Sequence, residues 1–303
     1  MQPLKEFRNT FSSSRTGKAQ STATLSKSVG FLIVLLSFAV VVAFVSLPLV
    51  ALFAYGTLSG FLNSLSSPVV VEAIQLSVVT TLTTLLVVLA LGTPVAYFNA
   101  RHSYRGKRII ETLIDLPIVL PPAVAGIALL LAFGREGLLG HDLSVLGINI
   151  AFTTTAVVLA QIFVSSPFYI RQATTSFEDV DPDYERAAHT LGASGGGTFF
   201  RVTVPIALNG LVSGALMTWA RALGEFGATI IFAGNLQGVT QTMPLAIYTA
   251  FDSDLDAAVY LAIILVIISF VVIATVKVLT LREKGAAKEE KSVLDRGPPP
   301  ADS

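Results

Sequence analysis

Long apolar stretches alternate along the chain with short segments that hold most of the charge. No Asp, Glu, Lys or Arg occurs between residues 28 and 71, and the apolar part of that stretch covers 29–55. Further apolar stretches cover 73–98, 116–133, 152–170, 204–232 and 257–276. A helix rises about 1.5 Å per residue, so a hydrocarbon core of about 30 Å takes about 20 residues. The apolar positions run continuously rather than alternating, which predicts helices and argues against a barrel. The pattern predicts an all-α membrane protein with six transmembrane helices. The first stretch is far longer than the roughly 7–15 apolar residues of a signal peptide, and it reads as an uncleaved anchor.

Proline sharpens the third span. Pro117, Pro121 and Pro122 crowd its start. Each removes a backbone donor and clashes with the preceding turn, so this helix is broken or begins late. Freed backbone groups at membrane depth are tolerated where they are buried in protein or line a wet cavity. A kink that serves packing alone accounts equally for the same prolines.

Polar residues inside the spans fall at helical spacing. Ser77, Thr80 and Thr84 lie on one stripe of the second span, and Gln161 and Ser165 lie four apart in the fourth. Such hydroxyls and amides join helices to one another in membranes, or they line a polar path. In the fifth span Ala207, Gly210, Gly214, Thr218, Arg221, Glu225 and Ala228 follow at intervals of three or four. The spacing predicts one face, small in its first half and charged in its second. Gly210 and Gly214 form a GxxxG that admits close helix approach. Arg221 in a membrane needs a partner, and Glu225 stands one turn away. The pair is either a lock within the bundle or, with Thr218, part of a solute path or gate, where a guanidinium fork suits an oxyanion.

The connection 171–203 is too long for a simple turn and carries its own helix signals. Asp181 is an N-cap followed by Pro182 at the first helical position. Tyr184, Ala187, Ala188 and Leu191 make an apolar face, and Gly192 ends the helix. A short amphipathic helix outside the membrane predicts a face for a partner protein.

Composition agrees with the spans. Of 303 residues, 53% are hydrophobic and 13% charged, with a mean hydropathy of +0.72. A soluble domain carries roughly 25% charge, so an ordinary soluble enzyme and a disordered chain are both excluded. The 20 basic and 20 acidic residues cancel, and only their distribution informs. Every Lys and Arg except Arg135 and Arg221 falls before the first span, after the second, after the fourth or after the sixth. By the positive-inside rule both termini are cytoplasmic. The tails, 1–28 and 282–303, are polar or mixed in charge and predict disorder around a permease domain at 29–281.

The sequence carries little chemistry of its own. It has no cysteine, which excludes disulfides and thiol chemistry. His102, His141 and His189 lack metal-ligand spacing. Neither Gly17-Lys18 nor Gly106-Lys107 belongs to a phosphate-binding loop, and Gly195–Gly197 lacks the strand before it that a nucleotide site needs. An energy source therefore comes from another chain or from an ion gradient.

The run from Arg186-Ala187-Ala188 through Gly192 to Val204-Pro205 resembles the EAA loop of ABC importer permeases. Arg186 stands where that pattern has its glutamate, with Glu185 one residue early, and Val204 replaces the leucine. Downstream, Arg221 to Thr229, Gly234-Asn235 and Thr240 to Tyr248 look like the sulfate, molybdate and tungstate branch of those permeases. The resemblance covers roughly 70–280 and includes the run from Asp115 to Pro122. It implies the type I importer permease fold, a homodimer with a second permease copy in the lipid bilayer of the cell membrane, and no bound cofactor. Cytoplasmic ATP-binding subunits would receive a coupling helix bearing Asp183, Tyr184, Glu185, Arg186, Ala187, Ala188, Leu191 and Gly192. An extracytoplasmic substrate-binding protein would deliver a tetrahedral oxyanion, and nucleic acid has no role. The 234–248 segment favours molybdate or tungstate over sulfate or thiosulfate.

A gradient-driven carrier that uses Arg221 and Glu225 as an ion-coupled switch is the rival from another class. Such carriers show internal repeats and several acids within the membrane. Here 29–133 and 152–276 do not repeat one another, and Glu225 alone lies deep in a span.

Overall fold

The structure, a computed structural model, describes residues 30–271, 273 and 274. The proposed tails at 1–28 and 282–303, and the last residues of the sixth span, lie outside the described residues. The described residues form helices joined by turns and short loops, and none of them is in a strand. The chain divides into two units at Thr57 and Leu58. The first contains α1 (Gly30–Tyr55), a 26-residue apolar helix.

The second unit is built around two long helices and a third that joins them. α2 (Leu58–Ser64) precedes α3 (Pro68–Arg101), whose 34 residues start on Pro68, where a missing N–H costs nothing. α7 (Thr154–Glu178) is the central element, packed along α3 on one side and along α10 (Val204–Leu223) on the other. Thr153 caps α7 by accepting from the amide of Ala156. The α3–α7–α10 core gathers Val88, Ala96, Tyr169, Phe177, Ala207 and Leu211.

The proline run breaks the third span as its sequence requires. α4 (Lys107–Val119) and α5 (Pro122–Phe133) meet at 116°. Leu120 and Pro121 each precede a proline, which disfavours helical backbone, and both are extended, with ψ of 132° and 135°. Pro122 then sits at the first position of α5.

Three boundaries differ from the sequence expectation. The fifth span is not one helix over 204–232: α10 ends at Leu223, Gly224 to Phe226 break it, and α11 (Gly227–Phe232) follows. α7 continues to Glu178, so the connection expected from Arg171 starts eight residues later. Hydropathy stops at the first charged residue, whereas a helix continues wherever its backbone bonds remain satisfied. The segment 233–256, left between the fifth and sixth apolar stretches, contains α12 (Met243–Ser253), and Met243, Leu245 and Ala246 are buried. At 11 residues this apolar helix is too short to cross, and Met243 and Ala246 instead pack with Val70, Ala73, Leu261 and Ile264.

Between these elements lie α6 (Gly140–Val145), α8 (Pro182–Thr190) and α9 (Gly195–Thr198), with a π turn over Phe199–Thr203 leading into α10. α13 (Leu255–Val271) closes the described chain. Among the described residues, α1, α3 and the run Gly195–Leu223 are long and apolar enough to cross a membrane, and the bent α4–α5 pair together passes the same test.

Candidate functional site

Two places gather the residues proposed from the sequence for a gate and for docking to a partner. The first is the junction between α10 and α11. Arg221, in the last turn of α10, donates from Nη1 to Glu225 Oε2 at 2.8 Å. Glu225 is 1% exposed, whereas the Arg221 side chain is 30% exposed. The other carboxylate oxygen, Oε1, accepts from the backbone N–H of Ala228 at 2.8 Å. The acid thus balances a cation on α10 while satisfying a free amide in the first turn of α11. Part of the Arg221 side chain remains accessible beside this buried acid.

Thr218 lies one turn before Arg221 and is fully buried. Its hydroxyl donates to the carbonyl of Ser165 at 3.3 Å, which places it in the seam between α7 and α10. The small residues behind it fill the same seam. A Cβ at Gly210 would overlap the Ser176 side chain, and one at Gly214 would press on Gln172 and Tyr169. The first half of the stripe is therefore a close helix contact. Ala228, expected on the same face, belongs to α11 and packs with Ala160 and Val164.

A second polar layer joins α3 to α7. Gln161 donates to the Thr80 hydroxyl at 3.2 Å and accepts from that of Thr84 at 3.0 Å. Ser77 accepts from the backbone N–H of Met243 at 2.8 Å, which fixes the start of α12. These side chains satisfy one another in helix packing rather than facing an open path.

The second place is α8, which forms where its caps predict. The Asp181 side chain accepts from the amide of Asp183 at 2.9 Å, and Pro182 occupies the first helical position. At the other end Gly192 adopts φ of 87°, its N–H bonds to His189, and the N–H of Ala193 reaches Ala188. This is a Schellman ending, which favours glycine because a Cβ is strained at that φ. Tyr184 is 58% exposed and Leu191 88%. Asp183 and Arg186 pair with each other at 3.0 Å in the open, and Ala187 is also exposed.

Glu185 behaves differently from its neighbours. Its side chain is 14% exposed and turns away from the open face. It meets Arg101 of α3 at 2.9 Å and the hydroxyl of Thr203 at 2.8 Å. Sequence reasoning counted Arg101 only among the basic residues of a loop and did not single out Thr203. Partners 84 and 18 positions away leave no local signal. Among the described residues no three His, Asp or Glu side chains are grouped as metal ligands.

The family described as "Binding-protein-dependent transport system inner membrane component" matches residues 89–282. The molybdenum transport system permease protein ModB of Mycobacterium bovis is 46% identical over 232 residues, covering 77% of this chain and 88% of the relative. The sulfate transport system permease protein CysW of Synechococcus elongatus is 38% identical over 208 residues, covering 69% and 73%. The fold is that of a chain in a bacterial ABC transporter involved in the import of alginate, with a TM-score of 0.66 at 14% identity. That match covers 83% of this chain and 94% of the other.

Proposed function

The chain belongs to the family of binding-protein-dependent transport system inner membrane components, and from that premise we propose that it is the permease subunit of an ATP-driven importer for a tetrahedral oxyanion, with molybdate or tungstate as its solute. The observation that carries the solute is the 46% identity to a molybdenum transport permease across 77% of the chain. The 38% identity to a sulfate permease favours sulfate as the second reading.

In this reading the chain has the type I importer fold and six spans, α1, α3, the bent α4–α5 pair, α7, α10 with α11, and α13. The domain covers 29–281, with polar tails at 1–28 and 282–303. Both termini are cytoplasmic, supported by the placement of Lys and Arg. The permease sits in the cell membrane, paired with a second copy. α8 docks on a cytoplasmic ATP-binding subunit through Tyr184, Ala187 and Leu191, with Asp183, Arg186, Ala188 and Gly192 shaping that helix. Hydrolysis belongs to that partner, because the sequence holds no phosphate-binding loop. An extracytoplasmic binding protein delivers the anion, and nucleotide-driven closure shifts the permease between two packings.

Arg221, held by Glu225 and backed by Thr218, is the gate element. A single, partly exposed arginine offers a dianion a transient contact rather than a deep well, which suits a path that must release what it admits. Proteoliposomes containing the permease, its ATP-binding subunit and its binding protein test the reading by uptake of radiolabelled molybdate in competition with tungstate and sulfate. ATP-dependent uptake displaced by tungstate supports it. Uptake that proceeds with the ATP-binding subunit omitted would instead favour a gradient-driven carrier.

A further inference from the structure

Segments far apart in the sequence are tied at one carboxylate oxygen. Glu185 Oε1, on α8, accepts from Arg101 Nε at 3.2 Å, from Arg101 Nη2 at 2.9 Å and from the Thr203 hydroxyl at 2.8 Å. The same Nη2 donates to the carbonyl of Val180 at 3.0 Å. Arg101 is the last residue of α3, Val180 follows α7, and Thr203 ends the π turn that opens α10. The three longest helices of the second unit therefore converge on α8 through three side chains, those of Arg101, Glu185 and Thr203.

The surroundings make this a rigid junction. Arg101 and Glu185 are 13% and 14% exposed, so their bonds escape the solvent competition that weakens a surface ion pair. One turn before Arg101, Tyr97 packs edge-on against Phe177 and Phe199, at 5.5 and 4.9 Å between ring centres. The Arg101 guanidinium lies 6.0 Å from the centre of the Tyr97 ring. In the π turn the N–H of Val204 bonds to the carbonyl of Phe199, a five-residue step that shifts the helix register beside the Thr203 hydroxyl. The backbone on either side of α8 is short and non-helical, at Asp179–Asp181 and Leu191–Ser194. A helix held only by those connections would absorb a push instead of passing it on.

The geometry points to Arg101 as a positioning residue that clamps α8 to the adjoining ends of α3, α7 and α10, so that these elements move together when α8 is displaced. What displaces α8 rests on the functional reading above; the clamp itself does not. The face with Tyr184 and Leu191 stays open for a partner, while Glu185 is committed within the chain. Glu185 is thus a tether rather than a docking contact.

The test uses the full chain in nanodiscs, first alone and then with its ATP-binding subunit and loaded binding protein, as wild type, Arg101→Gln, Arg101→Lys and Thr203→Val. Hydrogen exchange of residues 182–194 in the chain alone is expected to quicken about tenfold in Arg101→Gln, with α3, α7 and α10 still protected. Arg101→Lys keeps the charge but loses the fork, and falls between wild type and Arg101→Gln. In the full assembly Arg101→Gln still binds the ATP-binding subunit but hydrolyses several-fold more ATP per anion imported. Thr203→Val removes one bond to the same oxygen with little change of shape, and shows both effects more weakly should Arg101→Gln fold poorly. Unchanged exchange in α8 would overturn the clamp, and faster exchange at an unchanged coupling ratio would overturn its part in transmission. A wild-type chain that binds no ATP-binding subunit would remove the functional reading, while the exchange measurement would still decide the clamp.

Discussion

Glu225 accepts from Arg221 through one carboxylate oxygen and from the Ala228 amide through the other, each at 2.8 Å. One buried carboxylate is thereby the counter-ion of α10 and the cap of α11. Removing either partner has unequal consequences. Arg221→Ala leaves an uncompensated buried charge and is expected to cost about 3–5 kcal/mol. Glu225→Gln keeps an acceptor for Ala228 and is expected to cost about 1–2 kcal/mol. Thermal unfolding of the two variants in detergent, read by tryptophan fluorescence at Trp219, checks the order.

The α7–α10 seam depends on missing side chains. Gly210 faces Ser176, and Gly214 faces Gln172 and Tyr169. Gly210→Val forces the helices apart and is expected to destabilise the bundle by about 1–3 kcal/mol. Gly195→Ala, at a glycine with open space around it, is expected to change stability by less than about 0.5 kcal/mol. A paired melting experiment on the two variants is the check.

Gln161 bridges Thr80 and Thr84 across α3 and α7. Gln161→Leu leaves both hydroxyls without that partner. Bonds of this kind in membranes contribute about 0.6 kcal/mol on average, so the expected loss is about 1 kcal/mol for the pair. A double-mutant cycle with Thr84→Val measures the coupling directly.

The exposed face of α8 is expected to matter for assembly and not for folding. Leu191 is 88% exposed, so Leu191→Asp removes no packing within the chain. It is expected to leave the melting temperature unchanged and to weaken binding of the ATP-binding subunit by at least about tenfold, the cost of placing a charge in an apolar contact. Binding measured by surface plasmon resonance decides this. Normal affinity would assign docking to another surface.

The elements most legible in the sequence are those fixed by local chemistry. Asp181, Pro182 and Gly192 mark α8 because caps and a left-handed ending act within a few residues. Pro121 and Pro122 mark the bend between α4 and α5 for the same reason. The break at Gly224 was hidden by the regular three-and-four spacing from Ala207 to Ala228. Side-chain spacing carries no mark of the break, and Gly224 and Gly227, on either side of Glu225-Phe226, are the signal the sequence offers. The inward role of Glu185 was not legible, since its partners Arg101 and Thr203 become neighbours only after α3, α8 and α10 have packed. α12 does not stand out in the apolar pattern, because an 11-residue helix is shorter than a membrane span and polar residues lie on either side of it.

On the proposed reading, this permease couples import of an oxyanion to ATP hydrolysis on a partner chain. The most direct measurement is the ATPase rate of the reconstituted permease with its ATP-binding subunit, with and without binding protein loaded with molybdate, tungstate or sulfate. The expected result is stimulation by binding protein carrying molybdate or tungstate and little by the same protein without ligand. No stable assembly with an ATP-binding chain, or a rate indifferent to the loaded binding protein, would contradict the account and direct attention to Arg221 and Glu225 as an ion-coupled pair.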